Sequence, residues 1–342
     1  MTPITGNRLR IGFILADRFT LSAFANFVDV LRLAADESDQ SRPIRCEWVV
    51  LSHDGQPVRA SCGISIQPEA RLRAPGRFDY LVVVGGLIGH YRAISDEALA
   101  WLRAQAATGV PLIGLCTGVF ILQEAGLLQG YRCCVSWFHH QDFLDRFETE
   151  TPVSDQIFVV DRDRLTCSGG HSAAHLAAFL VQRHIGHSAA TKSLNIMMIE
   201  DALSGERPQP GQPLARRADD PLVQRAILRM QQNIEMPKTV EELASELGVA
   251  RRTLERRFRA DLTRPPQKIY LELRLEKAMQ RLRGTHDSVT AIALACGFCD
   301  ASHLVRAMKA ERGVTPNEYR RAQAMGPARP PAQSSPPARA HS

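Results

Sequence analysis

Two stretches in the C-terminal half, LASELGVARRTLERRFRADLTRPPQKI and IALACGFCDASHLVRAMKAERGVTPNEY, repeat one pattern at an offset of about fifty residues, and this duplication constrains the fold more than any other feature. Ala244 aligns with Ala293, Gly248 with Gly297, Leu254 with Leu304, Arg256 with Arg306, Phe258 with Met308 and Pro266 with Pro316. Each copy reads as helix, turn, helix. VEELASEL is amphipathic, Gly248 supplies a turn residue tolerant of positive φ, and RRTLERRFRA opens the next helix. Small Ala244 lets the two helices cross closely, and SVTAIALACG with ASHLVRAMKAERG repeats the arrangement around Gly297. Between the copies, PPQKIYLELRLEKAMQRLRG starts with proline, ends with Gly284 and reads as one long connecting helix. Two helix-turn-helix units on a rigid connector suit two successive major grooves on one face of a DNA duplex.

The charge distribution agrees. The net charge of +6 is modest, yet Arg251, Arg252, Arg256, Arg257, Arg259 and Arg264 crowd into one segment. Positive charge concentrated on a short helix is what a phosphate-facing surface requires, because each neutralised phosphate releases condensed counterions. An isolated basic run is more often a solvated helix face, but here it falls on the second helix of a duplicated unit.

From about Leu9 to about His187 strands and helices alternate: LRIGFILA, CEWVVLS, FDYLVVVGG and PLIGLC as strands, SAFANFVDVLRLAAD, DEALAWLRAQAATG, GVFILQEAGLL and SAAHLAAFLVQRHIG as helices, with DQIFVVDRDRLTCSGG as a hairpin and glycine turn. This order predicts an α/β N-terminal domain, a mostly parallel sheet with helices on both faces, over residues 1–203. Helix TKSLNIMMIEDALSG leads into a Pro-rich, charged stretch read as a linker, 204–220. An all-α C-terminal domain with two helix-turn-helix units follows over 221–323, and the Pro/Ser/Ala-rich residues 324–342 form a tail expected to be disordered. No run approaches the roughly 18 consecutive apolar residues of a membrane helix, and the N-terminus lacks the pattern of a secretory or transit leader, so a cytoplasmic protein without a membrane partner is expected. The 8 cysteines are scattered, several of them within apolar segments, which predicts free thiols; adjacent Cys133 and Cys134 read as packing residues.

The C-terminal segment resembles the DNA-binding domain of the AraC/XylS family of transcription regulators, through LASELGVARRTLERRF, RLEKAMQRL and ACGFCDASHLVRAMKAERGVTPNEYR. Met308 stands where that family usually has Phe, a change of shape that a core tolerates. The resemblance implies that Arg251, Arg252, Glu255 and Arg256 of the first copy, and Ser302, His303 and Arg306 of the second, face double-stranded DNA, with Arg257, Arg259 and Lys309 nearer phosphate. The N-terminal half is similar to the ThiJ/PfpI, class I glutamine-amidotransferase-like superfamily, through FDYLVVVGG, IGLCTGVFILQEAGLL and LTCSGGHSAAHLAAFLV. The combination resembles the GlxA-type regulators. It implies a transcription regulator, an activator in the first instance, that dimerises, works with RNA polymerase and answers to a small effector such as an amino acid or a quaternary amine.

Cys116 poses the alternative, a Cys-dependent amidase or hydrolase with a DNA-binding appendage. A thiol between a strand and a helix lies near amides that favour thiolate, but a nucleophile also needs a base. Where the enzymatic relatives carry the histidine, RCCVSWFHHQDF has Ser136, with His139 and His140 further on; near Ser22 and Ala23, where those relatives carry an acid, the nearest carboxylate is Asp29. The expected role is therefore binding, by Gly85, Gly86, Cys116, Thr117, Trp137, His139, Gly170 and His171, with backbone donors for an anion and one aromatic of Trp137-Phe138, if in a strand, facing a cationic group. A third reading is thiol-based redox sensing through Cys116. His171 and His175 share a helix face without a third ligand at helical spacing, so neither metal nor cofactor is expected.

Replacing Arg252 or Arg306 by alanine is expected to weaken specific DNA binding by about 1–3 kcal/mol each. Unchanged footprints and affinities in both variants would exclude this assignment.

Overall fold

The computed structural model describes residues 8–38, 40–72, 78–89, 93–147, 152–211 and 218–324. Two compact units divide the chain, Met1–Gln232 and Asn233–Ser342. The expected tail, from residue 325 onward, and residues 212–217 of the expected linker lie outside the described residues.

In the first unit β1 (Leu9–Leu15), α1 (Leu21–Ala35), β2 (Cys46–Ser52), a small hairpin of β3 (Val58–Arg59) and β4 (Ser65–Ile66), β5 (Ala70–Arg71) and β6 (Tyr80–Val84) come first. There follow α2 (Asp96–Ala107), β7 (Leu112–Leu115), α3 (Gly118–Glu124), α4 (His140–Arg146), β8 (Phe158–Asp161), β9 (Arg164–Cys167), α5 (Ser172–His184), α6 (His187–Ile196) and α7 (Pro221–Gln232). The sheet order is β5-β2-β1-β6-β7-β9-β8, parallel except for β8 against β9. Because central strands are covered on both faces, their apolar runs are continuous rather than alternating. Phe13, Leu15, Val82 and Val84 pack in one core cluster with residues of α1, α5 and α6; Ile14, Leu81 and Val83 pack in the other with residues of α2 and α3. Strand order reverses between β1 and β6, and the ends of β1, β6, β7 and β9 meet where such folds bind ligands.

Three features depart from the sequence reading. The helix expected through Gly205 stops at Ile196, where Met198 turns into left-handed backbone at φ +60° and Ile199 N–H returns to the Leu194 carbonyl. Trp137–His139 is one turn of 3-10 helix capped by Ser136, not a strand. The Pro-rich stretch is docked where it is described: Ile157 N–H donates to the Gly205 and Arg207 carbonyls, and Gln209 is 2% exposed. The break between units accordingly falls after Gln232, not before Pro221.

The second unit comprises α8 (Val240–Glu246), α9 (Arg251–Leu262), α10 (Pro266–Gly284), α11 (Val289–Ala295), α12 (Ala301–Arg312) and α13 (Pro316–Ala324). Thr239 and Glu242 form a capping box on α8, and Asp300 accepts the His303 N–H to cap α12. Gly248 and Gly297 take φ of +69° and +73° in the two equivalent turns. A Cβ on Gly297 would lie 2.3 Å from the Ile234 carbonyl oxygen, so only glycine fits there. Arg274 of α10 donates to the Cys296 and Gly297 carbonyls at 3.0 and 2.6 Å and lies over the Phe298 ring. Met308 is fully buried in the second repeat, as Phe258 is in the first.

Buried Asp36 ends α1: its carboxylate accepts the backbone N–H groups of Ser38, Gln40 and Arg42, while its carbonyl accepts from Lys192 of α6. The Arg42 amide foremost, with those of Gln40 and Ser38, holds this carboxyl well below the usual range against the opposing effect of burial. A depressed carboxyl pKa contributes stability above its unfolded value and loses it as acid protonates the folded form. Asp36→Asn should therefore lower the urea midpoint at neutral pH, with the gap to wild type closing as pH falls below about 4. A gap independent of pH would show that Asp36 acts by shape alone.

Candidate functional site

At the end of β7 the chain enters α3 through Cys116, whose φ of +56° is unusual for a residue with a side chain. Such backbone costs on the order of 1–3 kcal/mol and persists only where the surroundings impose it. Here they do. A Cβ on Gly85 would lie 2.1 Å from Gly118 N, one on Gly118 2.2 Å from the Val83 carbonyl oxygen, and one on Gly169 2.7 Å from Cys116 Cβ. The turns after β6, β7 and β9 are thus packed backbone to backbone. Gly85 N–H donates to the Leu115 carbonyl and its own carbonyl accepts from Thr20, so Gly85 is framework and its N–H is already used. Thr117 Oγ1 donates to the Gly86 carbonyl at 2.7 Å.

Cys116 Sγ lies 3.4 Å from the hydroxyl of Thr20, a residue the sequence reading did not single out. A hydroxyl at that position orients a thiol but takes no proton at neutral pH. His139 Nδ1 is 2.7 Å from Asp142, His140 Nδ1 is 2.9 Å from Ser154 Oγ, and Asp29 pairs with Arg32. Among the described residues, none of these recorded bonds brings a base to Cys116.

A cavity of about 840 Å³ brings Trp137, Gly170 and His171 together, with Ser136, Ser168 and His175 beside them. Gly86 and Thr117 instead line a separate cavity of about 390 Å³ with Phe120. Gly85, Cys116 and His139 are not among the described lining residues of either, so the expected ligand site is divided. His175 is pushed down to about 4 by burial and by nearby His171, so it is neutral, and its Nδ1 accepts the Leu203 N–H. No group of three metal-ligating side chains gathers among the described residues.

The rest of the larger cavity comes from segments the sequence reading left out. Arg207 to Gly211 form one wall, and Gln224, Ile227, Leu228 and Gln231 of α7 form another. Gln209 donates to the Val135 and Gln156 carbonyls at 2.9 and 2.6 Å and accepts the Trp137 N–H at 2.8 Å. The apolar spacing of Val223, Ala226, Ile227 and Met230 signalled that α7 buries a face. Nothing local marks a glutamine in a Pro-rich stretch as a core residue.

In the second unit α9 and α12 are the second helices of the two helix-turn-helix units. Arg252, Arg256, Ser302 and Arg306 are exposed. Arg251 Nε bonds Glu255 at 2.9 Å within α9, and this hydrogen bond, foremost, lowers the Glu255 pKa, so each is partly occupied by the other. His303 lies with its ring edge-on to Phe298 at 5.2 Å.

Residues 243–322 match the helix-turn-helix domain model, and residues 9–183 match that of the DJ-1/PfpI family. The HTH-type transcriptional regulator GbdR of Pseudomonas aeruginosa (strain UCBPP-PA14) is 34% identical over 326 residues, spanning 95% of this chain and 87% of that protein. The HTH-type transcriptional regulator GlxA of Rhizobium meliloti (strain 1021) is 28% identical over 318 residues, 92% of this chain and 96% of that one. The first half alone is similar to an isonitrile hydratase of Pseudomonas putida, 29% identical over 182 residues, 53% of this chain and 75% of the enzyme. Duplicated helix-turn-helix units, an α/β domain and full-length likeness converge: the chain belongs to the AraC/XylS-family transcription regulators that carry an N-terminal DJ-1/PfpI-type domain.

Proposed function

We propose that this regulator is governed by a small metabolite bearing a carboxylate, held in the cavity of about 840 Å³ in the DJ-1/PfpI-type domain. One observation carries the reading. Among the described lining residues Arg207 is the one lysine or arginine and there is no aspartate or glutamate, while Trp137 supplies an aromatic surface. A bare cation would find no counter-charge in such a lining. An amino acid or a betaine would offer its carboxylate to Arg207 and its ammonium to the Trp137 ring. In the second unit the exposed Arg252, Arg256, Ser302 and Arg306 read base edges, with Arg257, Arg259 and Lys309 on phosphate. The protein works in the cytoplasm as a homodimer that activates RNA polymerase.

The enzymatic alternative is favoured by the strained backbone of Cys116 and by the likeness to an isonitrile hydratase. Against it stands Ser136 where the enzymatic relatives carry the histidine, and a thiol whose hydrogen-bond partner, Thr20, is a hydroxyl that takes no proton at neutral pH.

A thermal-shift screen of amino acids, betaines and carboxylate-free amines tests both. Carboxylate-bearing compounds should raise Tm, with about 2.7 kcal/mol of stabilisation at a hundredfold excess over Kd. Arg207→Ala and Trp137→Ala should abolish the shift, and Cys116→Ala should keep it. Equal shifts from carboxylate-free amines, or Cys116-dependent turnover of small amides or isonitriles, would overturn the proposal.

A further inference from the structure

Three consecutive residues, Asp155, Gln156 and Ile157, hold both described stretches of the segment that leads out of the sensor domain, the one around Gly205 to Gln209 and α7. The Ile157 N–H donates to the Gly205 and Arg207 carbonyls, both at 3.0 Å, and its side chain lines the larger cavity. The Gln156 carbonyl accepts from Gln209 at 2.6 Å. Asp155, 1% exposed, receives Arg225 Nε at 3.1 Å and Arg229 Nη2 at 3.5 Å from α7, while among the described residues its other oxygen, Oδ1, has no hydrogen-bond partner. On α7 these arginines occupy one strip, and Gln224, Ile227, Leu228 and Gln231 form the adjacent strip that closes the cavity. Asp220 caps the start of the helix by accepting the Leu222 N–H, and its last residue, Gln232, is bonded to Asn233, the first of the DNA-binding unit.

We infer that Asp155 is a positioning residue that docks α7 as the movable wall of the effector cavity, and that docking of α7 is the state the DNA-binding unit reads. The sign follows from the geometry. A ligand touches Ile227 and Leu228 only when α7 is docked, so it binds the docked state better and draws the population toward it. By reciprocity, weakening the dock weakens the ligand. The carboxylate is the part of the device that favours a two-state response. With α7 in place two guanidinium groups answer its charge, and with α7 away the charge at a buried position has lost them, so intermediate displacements are disfavoured.

This rests on the cavity being the effector site, but its test needs no effector. In the full-length chain, Asp155→Asn and the double variant Arg225→Gln/Arg229→Gln are compared with wild type by hydrogen exchange and by affinity for a DNA duplex selected from a random pool by the wild-type protein. Amides of 221–232 should exchange at least about tenfold faster in both variants, those of the helix-turn-helix units should not change, and duplex affinity should shift about fivefold or more in one direction in both. Arg229→Gln alone, which leaves Arg225 paired with Asp155, carries the test with the same expected direction should either of these variants fail to fold. Unchanged exchange in α7, or a loosened α7 with wild-type duplex affinity, would overturn the inference. A merely structural role for the pair would lower Tm and leave duplex affinity where it was.

Discussion

The first unit is organised around a steric demand at the strand ends. The turns after β6, β7 and β9 approach so closely that Gly85, Gly118 and Gly169 have no room for a Cβ, and Cys116 is held in left-handed backbone among them. That packing fixes where the strands end and hence where the glycine turn into α5 and the Trp137 turn can lie. The thiol of Cys116 lies against the Thr20 hydroxyl, a group that orients it but takes no proton at neutral pH.

The sheet, its helices and the duplicated helical unit were legible because each rests on a periodic pattern. A β-branched run closed by two glycines gave β6, the apolar run PLIGLC gave β7, and the paired glycines at 248 and 297 gave both turns. The ligand site was legible only in part. Trp137, Gly170 and His171 do share a cavity, but Gly86 and Thr117 line another. Trp137 lies in a capped 3-10 turn because Ser136 accepts the Phe138 N–H, a local bond that overrides the extended reading. Arg207, Gln209 and α7 were out of reach for a different reason. Their contribution depends on contacts spanning tens of residues, such as Gln209 with Val135, and the local composition there signals only a loop.

In the DNA-binding unit the two repeats have diverged in how they are held. The first relies on a capping box and an ion pair within its recognition helix; the second relies on Arg274, which binds the carbonyls of the turn itself and packs over Phe298. His303 lies against that same ring. The repeats therefore share a backbone plan without sharing the side chains that hold it in place.

The anchoring of Gln209 bears on modularity. Regulators of two domains are often imagined as sensors and readers joined by string, exchangeable by cutting the string. Here the described start of the stretch that looks like string is packed into the first unit: Gly205 lies too close to the Phe158 carbonyl for any side chain, and Gln209 occupies the interior. A chimera joined within the Pro-rich segment would graft a foreign wall onto the cavity. The division between the two compact units falls after Gln232, so α7 belongs to the same unit as the cavity it lines.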